Sequence, residues 1–290
     1  MTSHLRSTDI TVIVVTYNSA HCIAALAPTL AALPHVVIVD NASDDATVAT
    51  VGRDLPHASV LRNGRNLGFG AANNVALRQA KTSHALLLNP DCVPQADFIA
   101  QLLELADQFP DAAVIAPHLI RKGGKVEVSY RWPATRWMSQ GPAADGPCCV
   151  GFVCGAAMLL NLRVMQEVGF FDEAFFLYYE DEDLCQRLFM LGKQIILAPQ
   201  LELVHLSRGS VRGLHPLRGE FIRGFHHVQS KLLFASKHGG KQQSEQLRRR
   251  TMLLALATLL PRLLVPLPRY LARLSGRICG LYAYKAPAKP

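Results

Sequence analysis

A short acidic corner near residue 90 has the residue types and surroundings of a metal or phosphate site. Residues 86–88 are three leucines, typical of the end of a strand buried on both faces, and Asn89, Pro90 and Asp91 follow directly. Pro90 fixes its own φ and holds Asn89 extended, so Asp91 is presented from a stiff corner. A carboxylate at the carboxyl end of a parallel strand can hold a divalent cation, which in turn can hold a diphosphate. The alternative is that Asn89 and Asp91 only cap the helix that follows.

A second group of carboxylates, residues 180–183, has the chemistry of a general base. The sequence Glu-Asp-Glu-Asp follows an aromatic segment at 170–179 and precedes a predicted helix at 184–191. Mutual repulsion and burial against aromatic surface favour a raised pKa in at least one of the four, as a base requires. The alternative is simple complementation of the helix dipole. His205 directly follows a predicted strand. If it meets the acidic corner at one sheet edge, we interpret it as a metal ligand, and otherwise as a structural histidine.

These groups require a fold that brings strand ends together. Apolar runs at 10–15, 36–39 and 58–61 alternate with helical segments, which predicts a doubly wound, mostly parallel α/β sheet. Ser43 or Asp44 is the expected N-cap of the second helix. Polar loops follow the strands and contain Thr16, Tyr17, Asn18, Asp40, Asn66 and Gly68. The loop with Gly68 is not a dinucleotide fingerprint, because it lacks a third glycine and follows the third strand instead of the first.

The charge is distributed unevenly along the chain. The chain of 290 residues has a formal net charge of +8, but residues 206–290 contain sixteen Lys or Arg and two acids, a local charge of +14. An apolar run at 252–265 is interrupted by Pro261 and Arg262, and it is too short to span a bilayer. This composition favours a segment that lies on an anionic membrane surface. The alternative is a helix that packs on the core or on a second subunit, so a homo-oligomer stays open. Nucleic acid is not expected as a partner, because aromatic residues are not interleaved with the basic ones.

Cysteine usage and the N-terminus bear on the compartment. The seven cysteines are an odd number without regular spacing, which argues against a disulfide framework and against a zinc site. Residues 1–9 are polar and contain no apolar signal region. We therefore expect a cytoplasmic protein that is peripheral at the inner face of the cell membrane.

Eight short motifs occur in order between residue 10 and about residue 212. They are Val14-Val15-Thr16-Tyr17-Asn18, Val39-Asp40-Asn41-Ala42-Ser43, Asn66-Leu67-Gly68-Phe69-Gly70 with Asn74, Leu88-Asn89-Pro90-Asp91, residues 151–157, Phe170-Phe171-Asp172-Glu173, Tyr179-Glu180-Asp181-Glu182-Asp183-Leu184, and His205. Each is weak alone, but the ordered set resembles the inverting family 2 glycosyltransferases with the GT-A fold, and among them the rhamnosyltransferase-like branch. The resemblance implies a Rossmann-like, mostly parallel central sheet flanked by helices over residues 1–212, with a basic helical extension over 213–290. The nucleotide-binding half is expected at about 10–116 and the acceptor and catalytic half at about 117–212.

The resemblance also implies where the donor binds. The residues expected to hold the nucleotide sugar are Thr16, Tyr17, Asn18, Asp40, Asn66, Gly68, Asn89 and Asp91. Residues 89–91 stand in place of the family's DxD element, with Asp91 and His205 as ligands of Mg²⁺ or Mn²⁺. Asn89 departs from the pattern, since the first position is usually Asp, and this removes one anionic ligand. The Asn-Pro-Asp form is common in the rhamnosyltransferase-like branch and favours dTDP-rhamnose as the donor, with a UDP-hexose as the alternative.

The same resemblance implies the chemistry. Asp181 would be the catalytic base that takes the proton of the acceptor hydroxyl, in one in-line displacement that inverts the anomeric carbon. Trp132, Glu180 and Asp183 would contact the acceptor, a glycan or a polyprenyl-linked glycan. The alternatives from other functional classes are a catalytically silent nucleotide-sugar-binding protein and a basic membrane or nucleic-acid adaptor.

Overall fold

The computed structural model of the chain describes residues 4–121, 123–124, 144–206, 215–264 and 267–286, with Leu260 described for its backbone alone. The chain divides into two compact units. The first consists of Met1–Phe171 and Asp181–Val211, and the second of Asp172–Glu180 and Arg212–Pro290. The second unit therefore takes one short segment from the middle of the chain.

The first unit is built on one mixed sheet. Its described strands are β1 (Ile10–Thr16), β2 (Val36–Asp40), β3 (Ser59–Arg62), β4 (His84–Leu88), β5 (Cys92–Val93), β6 (Val114–Ile120), β7 (Cys148–Cys149), β8 (Ala157–Asn161) and β9 (Ile195–His205). They lie in the order β3-β2-β1-β4-β8-β6-β9-β5, and β7 pairs with β9. The first four strands of this order are mutually parallel. An α/β fold with a largely parallel sheet is confirmed.

The strand directions bring several chain segments to one edge. β8 is antiparallel to β4 and to β6, and β9 is parallel to β6, so β9 runs in the same direction as β4. The carboxyl ends of β1, β2, β4 and β9 therefore lie at one edge of the sheet. The start of β8 lies at the same edge, since Leu88 at the end of β4 is paired with Ala157. Ligands of open α/β sheets bind at this kind of edge.

Apolar residues on both faces of the sheet form the core. In β1, Val12 and Val14 belong to one buried cluster, and Ile13 belongs to the other. In β4, Leu86 and Leu87 divide between the clusters in the same way. A strand covered by helices on both faces needs apolar residues at every position, and this explains the continuous hydrophobic runs of the sequence.

The described helices of the first unit are α1 (Ala20–Leu30), α2 (Thr47–Asp54), α3 (Phe69–Leu77), α4 (Phe98–Gln108), α5 (Leu162–Val168) and α6 (Glu180–Met190), whose first residue falls in the second unit. Two expectations about their starts were wrong. α2 begins at Thr47 instead of after Ser43 or Asp44, because the Ser43 hydroxyl accepts a hydrogen bond from the backbone of Asn18. α6 includes all four acidic residues in its first turn.

The second unit is helical. α7 (Pro216–Ala257) is bent at Gly240, which has a φ of 85°, and α8 (Leu259–Leu264) and α9 (Pro268–Ala283) follow. α7 and α9 cross closely at three glycines. A Cβ on Gly224 would lie 2.1 Å from the carbonyl oxygen of Arg273, and one on Gly276 would lie 2.0 Å from that of Phe221. Gly280 is packed almost as tightly against Val228 and Phe225, so any side chain at these three positions would separate the helices.

Candidate active site at the carboxyl edge of the sheet

The loops after β1 and β2 are joined through the side chain of Asp40. Asp40 is 2% exposed, and its carboxylate accepts hydrogen bonds from the Thr16 hydroxyl (3.4 Å) and the Ser43 backbone amide (3.2 Å). The Asn18 amide donates to the Ser43 hydroxyl at 2.9 Å, and the Asn18 side chain accepts from the amide of Asp44 at 2.8 Å. Tyr17 lies between these residues and is partly buried. Sequence-predicted residues Thr16, Asn18 and Asp40 are thus brought together.

Asn41 is the centre of the adjoining network, and the sequence reasoning gave it no role. Its amide nitrogen donates to the side chain of Asn66 (2.9 Å) and to the carbonyl of Gly68 (3.2 Å). Its amide oxygen accepts from the backbone of Leu67 at 2.9 Å. Asn41 therefore holds the loop before α3 against the end of β2. The signal was present, since Asn41 stands inside the motif that follows β2.

Position 68, immediately before α3, requires a glycine. It has a φ of 88° and a buried backbone immediately before α3, and its amide donates to Asn66 at 2.9 Å. A side chain would be strained in this conformation, so the glycine allows the tight entry into α3. The two predicted loop residues, Asn66 and Gly68, are in direct contact.

The Asn89-Pro90-Asp91 corner lies between β4 and β5, and the helix-capping alternative is wrong. Cys92 and Val93 form β5, and the next helix begins at Phe98. Cys92 pairs with His205, and the Leu206 amide donates to the Asp91 carbonyl at 3.0 Å. This backbone pairing brings the His205 ring to the Asp91 carboxylate, with 3.6 Å between Nε2 and Oδ1.

The donor atoms at this corner fit a hard divalent cation that takes part of its coordination from a substrate. Asp91 is 2% exposed, and the side chain of His205 is 12% exposed. Within the described ranges, no group of three or more His, Cys, Asp or Glu side chains is arranged to hold a metal. Mg²⁺ sites on phosphate substrates commonly use one or two protein carboxylates, with phosphate and water oxygens as the other ligands. The Asp91 carboxylate meets that requirement, and His205 adds an imidazole nitrogen beside it.

Gly155 and Ala156, just before β8, connect the acidic corner to Asp181. The Asn89 amide donates to the Ala156 carbonyl at 2.8 Å, and the Gly155 amide donates to Asp181 Oδ2 at 3.0 Å. Backbone groups of two adjacent residues thus hold the corner and the carboxylate in a fixed relation. A Cβ on Gly155 would lie 3.2 Å from the ring of Phe69 and 3.4 Å from the Cβ of Asp181. Gly155, which the sequence indicates only as a position of close packing, and Phe69 are further residues that were not predicted to be part of the site.

The acidic residues at the start of α6 differ in burial, and this separates their roles. Glu180 and Asp183 are buried, whereas Asp181 and Glu182 are partly exposed. Asp181 is the carboxylate that contacts Gly155 next to the α3 loop. It is therefore accessible and fixed at the same time, which is the arrangement that a base acting on a bound hydroxyl needs.

Asp183 forms an internal ion pair. Its side chain has no exposed surface, and Arg187 Nε donates to its Oδ2 at 2.9 Å. The same guanidinium donates to the carbonyls of Val168 (3.0 Å), Gly169 (3.2 Å) and Phe170. Arg187 therefore ties the chain after α5 to α6. We give Asp183 this structural role, and its acceptor contact stays a prediction.

In the second unit, the segment before Asp181 turns through two residues with left-handed backbone. Tyr178 and Tyr179 have φ values of 70° and 68°, an unusual conformation for bulky residues. α7 holds this turn. Ser230 donates to the Leu177 carbonyl at 2.9 Å, and the His227 ring lies 5.3 Å and 5.7 Å from the two tyrosine rings.

The surroundings of His227 keep it neutral. Burial, together with the positive charges of Arg277, Arg273 and Lys231, lowers the pKa of its imidazole to about 4. At neutral pH the ring therefore packs on the tyrosines as an uncharged aromatic group.

Among the predicted acceptor residues, Trp132 lies outside the described residues.

Two kinds of comparison with known proteins bear on this site. The family model described as "Glycosyl transferase family 2" matches residues 11–169. The "N-acetylglucosaminyl-diphospho-decaprenol L-rhamnosyltransferase" of Mycobacterium tuberculosis is 27% identical over 236 residues, which cover 71% of this chain and 76% of that protein. The "Rhamnosyltransferase WbbL" of Escherichia coli K12 is 24% identical over 192 residues, which cover 59% of this chain and 70% of that protein.

Among solved structures, the fold is similar to the mannosyltransferase PcManGT from Pyrobaculum calidifontis, determined in complex with GDP-Man and Mn²⁺. The TM-score is 0.56 at 18% identity, and the match covers 96% of this chain and 88% of that one. At this identity the similarity shows a GT-A-like fold.

Proposed function

The chain belongs to glycosyl transferase family 2, and from this we propose that it transfers L-rhamnose from dTDP-rhamnose to a prenyl-linked glycan with inversion. The observation that carries the proposal is the bridge at Gly155 and Ala156, which fixes Asp181 relative to the Asn89-Pro90-Asp91 corner. A base and a diphosphate-binding corner held by the backbone of two adjacent residues suit a single displacement. The choice of donor and acceptor is supported by the two relatives named as rhamnosyltransferases, one of them acting on a diphospho-decaprenol.

In the proposed reaction, each group of residues has a separate task. The nucleoside binds at the loops that contain Thr16, Asn18 and Asp40, and Asn66 and Gly68 close over it. The diphosphate lies at Asp91 and His205, where Mg²⁺ or Mn²⁺ would be held and would neutralise charge on the leaving group.

The bond changes involve Asp181 directly. The acceptor hydroxyl gives its proton to the Asp181 carboxylate as its oxygen attacks the anomeric carbon. The bond from that carbon to the diphosphate oxygen breaks on the opposite face, so the configuration inverts and dTDP leaves. Because a prenyl-linked acceptor is anchored by its lipid, we propose that the reaction takes place at the inner face of the cell membrane.

A donor panel tests the proposal. Purified protein with Mn²⁺ is titrated with dTDP-rhamnose, UDP-glucose, UDP-galactose and GDP-mannose, and both binding and slow donor hydrolysis are measured. We expect a selective response to dTDP-rhamnose that EDTA abolishes. A selective response to a UDP-sugar would refute the rhamnosyl assignment and retain the mechanism.

The role of Asp181 is tested with a matched pair of variants. With a prenyl-diphosphate glycan acceptor, Asp181→Asn should lower turnover by about a hundredfold or more while donor affinity is retained, because general base catalysis contributes about 10²–10⁴-fold. Glu182→Gln, at the next partly exposed position of α6, is the control and should retain turnover. Near-normal turnover of Asp181→Asn would show that another group is the base. Donor binding without turnover in the unsubstituted protein would support the silent-binder alternative.

A further inference from the structure

The second unit exposes a run of large apolar side chains around α8. We call residues 253–264 and 267–270 the α8 corner, since they comprise the end of α7, α8 and the start of α9. Its exposed apolar residues are Leu253 (69%), Leu254 (58%), Leu256 (45%), Leu263 (55%), Leu264 (83%), Leu267 (52%) and Tyr270 (57%). Single exposed leucines are ordinary on a protein surface, but seven large apolar side chains within 18 residues are a patch.

The helices of this unit do not use these residues for their own packing. The core of the unit is formed by Val228, Leu232, Ala255, Leu274 and Leu281. In the last turns of α7, Ala255 is buried, while its neighbours Leu254 and Leu256 point away from the core. The exposed leucines therefore lie outside this core and are available to a partner.

The charge around the patch indicates which partner. After Glu245 the sequence contains no further Asp or Glu up to residue 290, whereas Arg249, Arg250, Arg262 and Arg269 are all at or near the α8 corner. Arg249, Arg250 and Arg269 are exposed, and Arg262 lies 5.6 Å from the ring centre of Tyr270. Apolar side chains flanked by arginines alone match an anionic lipid surface, in which the leucines enter the acyl boundary and the guanidinium groups remain among the headgroups.

We propose that the α8 corner is a membrane-docking surface that inserts into one leaflet of an anionic bilayer. Insertion without crossing is consistent with the helices themselves: among the described residues, none combines the length and apolarity needed to span a membrane. Pro261 and Arg262 interrupt the apolar run in the sequence. This proposal does not depend on the identity of the donor or acceptor, and its test uses neither.

The test measures binding of the full chain to lipid vesicles by flotation. Vesicles of phosphatidylglycerol mixed with phosphatidylcholine are compared with vesicles of phosphatidylcholine alone, at low and high salt. The double variant Leu263→Glu/Leu264→Glu removes the two apolar side chains of α8. The matched control is Met190→Glu/Leu191→Glu, which changes two residues of the first unit with 71% and 59% exposure.

We expect binding to the anionic vesicles that weakens with salt, falls by about tenfold or more in the α8 variant and is unchanged in the control. Binding that is equal for the α8 variant and the unsubstituted protein, or no binding to anionic vesicles, would overturn the proposal. Sedimentation without lipid is the second readout. If the protein is a dimer that the α8 variant converts to a monomer, the patch is instead an interface between copies of the chain, and the membrane proposal is overturned.

Discussion

Replacing Arg187 with methionine should destabilise the first unit by about 3–4 kcal/mol. The substitution retains much of the aliphatic stem but removes the guanidinium that pairs with Asp183, whose side chain has no exposed surface. Loss of one partner of a buried ion pair costs about 3–5 kcal/mol. We place the effect at the lower end because the Arg187 side chain is 21% exposed, so water can reach part of the vacated space. The carbonyls of residues 168–170 are near exposed positions and can bond to water instead.

A loss of this size is a large part of the roughly 5–15 kcal/mol that stabilises a domain. It corresponds to a fall in melting temperature of about 10 °C, at about 2–4 °C per kcal/mol for a unit of this size. Since the chain has two compact units, the assay should resolve the first one. We propose urea titration followed by hydrogen exchange and mass spectrometry, read at peptides from α5 and α6.

A double-mutant cycle separates the ion pair from other effects. Asp183→Leu combined with Arg187→Met removes both charges, so the double variant should be more stable than the sum of the single losses predicts, by about 2 kcal/mol or more. The control Arg249→Met removes a guanidinium that is 78% exposed, and it should leave the urea midpoint of α6 unchanged. A loss below about 1 kcal/mol for Arg187→Met, or strict additivity in the cycle, would refute the reasoning.

Three further predictions concern the corner, the bridge and the strained turn. Asp91→Asn should weaken the binding of Mn²⁺, measured by paramagnetic resonance in the presence of dTDP, and unchanged Mn²⁺ affinity would contradict this prediction. The variant should stay folded, because the Leu206 amide bonds to the backbone carbonyl of residue 91 and not to its side chain. Gly155→Ala should lower turnover by about tenfold because its Cβ would lie 3.2 Å from the Phe69 ring, whereas Gly52→Ala, with nothing within 4 Å, should not. The pKa of His227 is lowered to about 4 in the folded protein, so the unfolded chain binds the proton more readily. The free energy of unfolding should therefore fall as the pH drops from about 6.5 to 4, by at most about 3 kcal/mol. His227→Phe, which retains an aromatic ring, should flatten that pH dependence in denaturant titrations, and an unchanged slope would show that His227 is not its source.

The sequence predicts the sheet and the edge at which the candidate site residues meet, because those signals are local. Runs such as 10–15 and 86–88 are apolar at every position, as strands buried on both faces must be, and each ends in polar residues. Once the strands are known to run parallel, the convergence of Asp40 and the Asp91 corner follows from topology. The ring of His205 lies 3.6 Å from the Asp91 carboxylate, as the sheet-edge argument expects.

The relations that sequence could not supply are those between distant segments. Gly155 and Asp181 are 26 residues apart, and Asn41 and Asn66 are 25 apart. No local pattern announces that they meet. The predicted start of α2 was wrong for the same reason. The Ser43 hydroxyl accepts a hydrogen bond from the backbone of Asn18, which belongs to another loop. A capping residue can be recognised locally only when no distant group competes for its side chain.

The strained turn at residues 178–179 has a consequence for how the protein matures during synthesis. Its backbone conformation is unfavourable for tyrosine and is held by contacts from α7, including Ser230, which follows Leu177 by 53 positions. A nascent chain that ends before α7 contains the whole sheet and Asp181 but lacks the contacts that fix the turn leading into α6. Because domains fold as units while the chain emerges, this turn is expected to take its conformation late in translation, after the described sheet has had time to form. Premature termination after residue 211 should accordingly yield a protein with the described sheet in which the turn at residues 178–179 is not held.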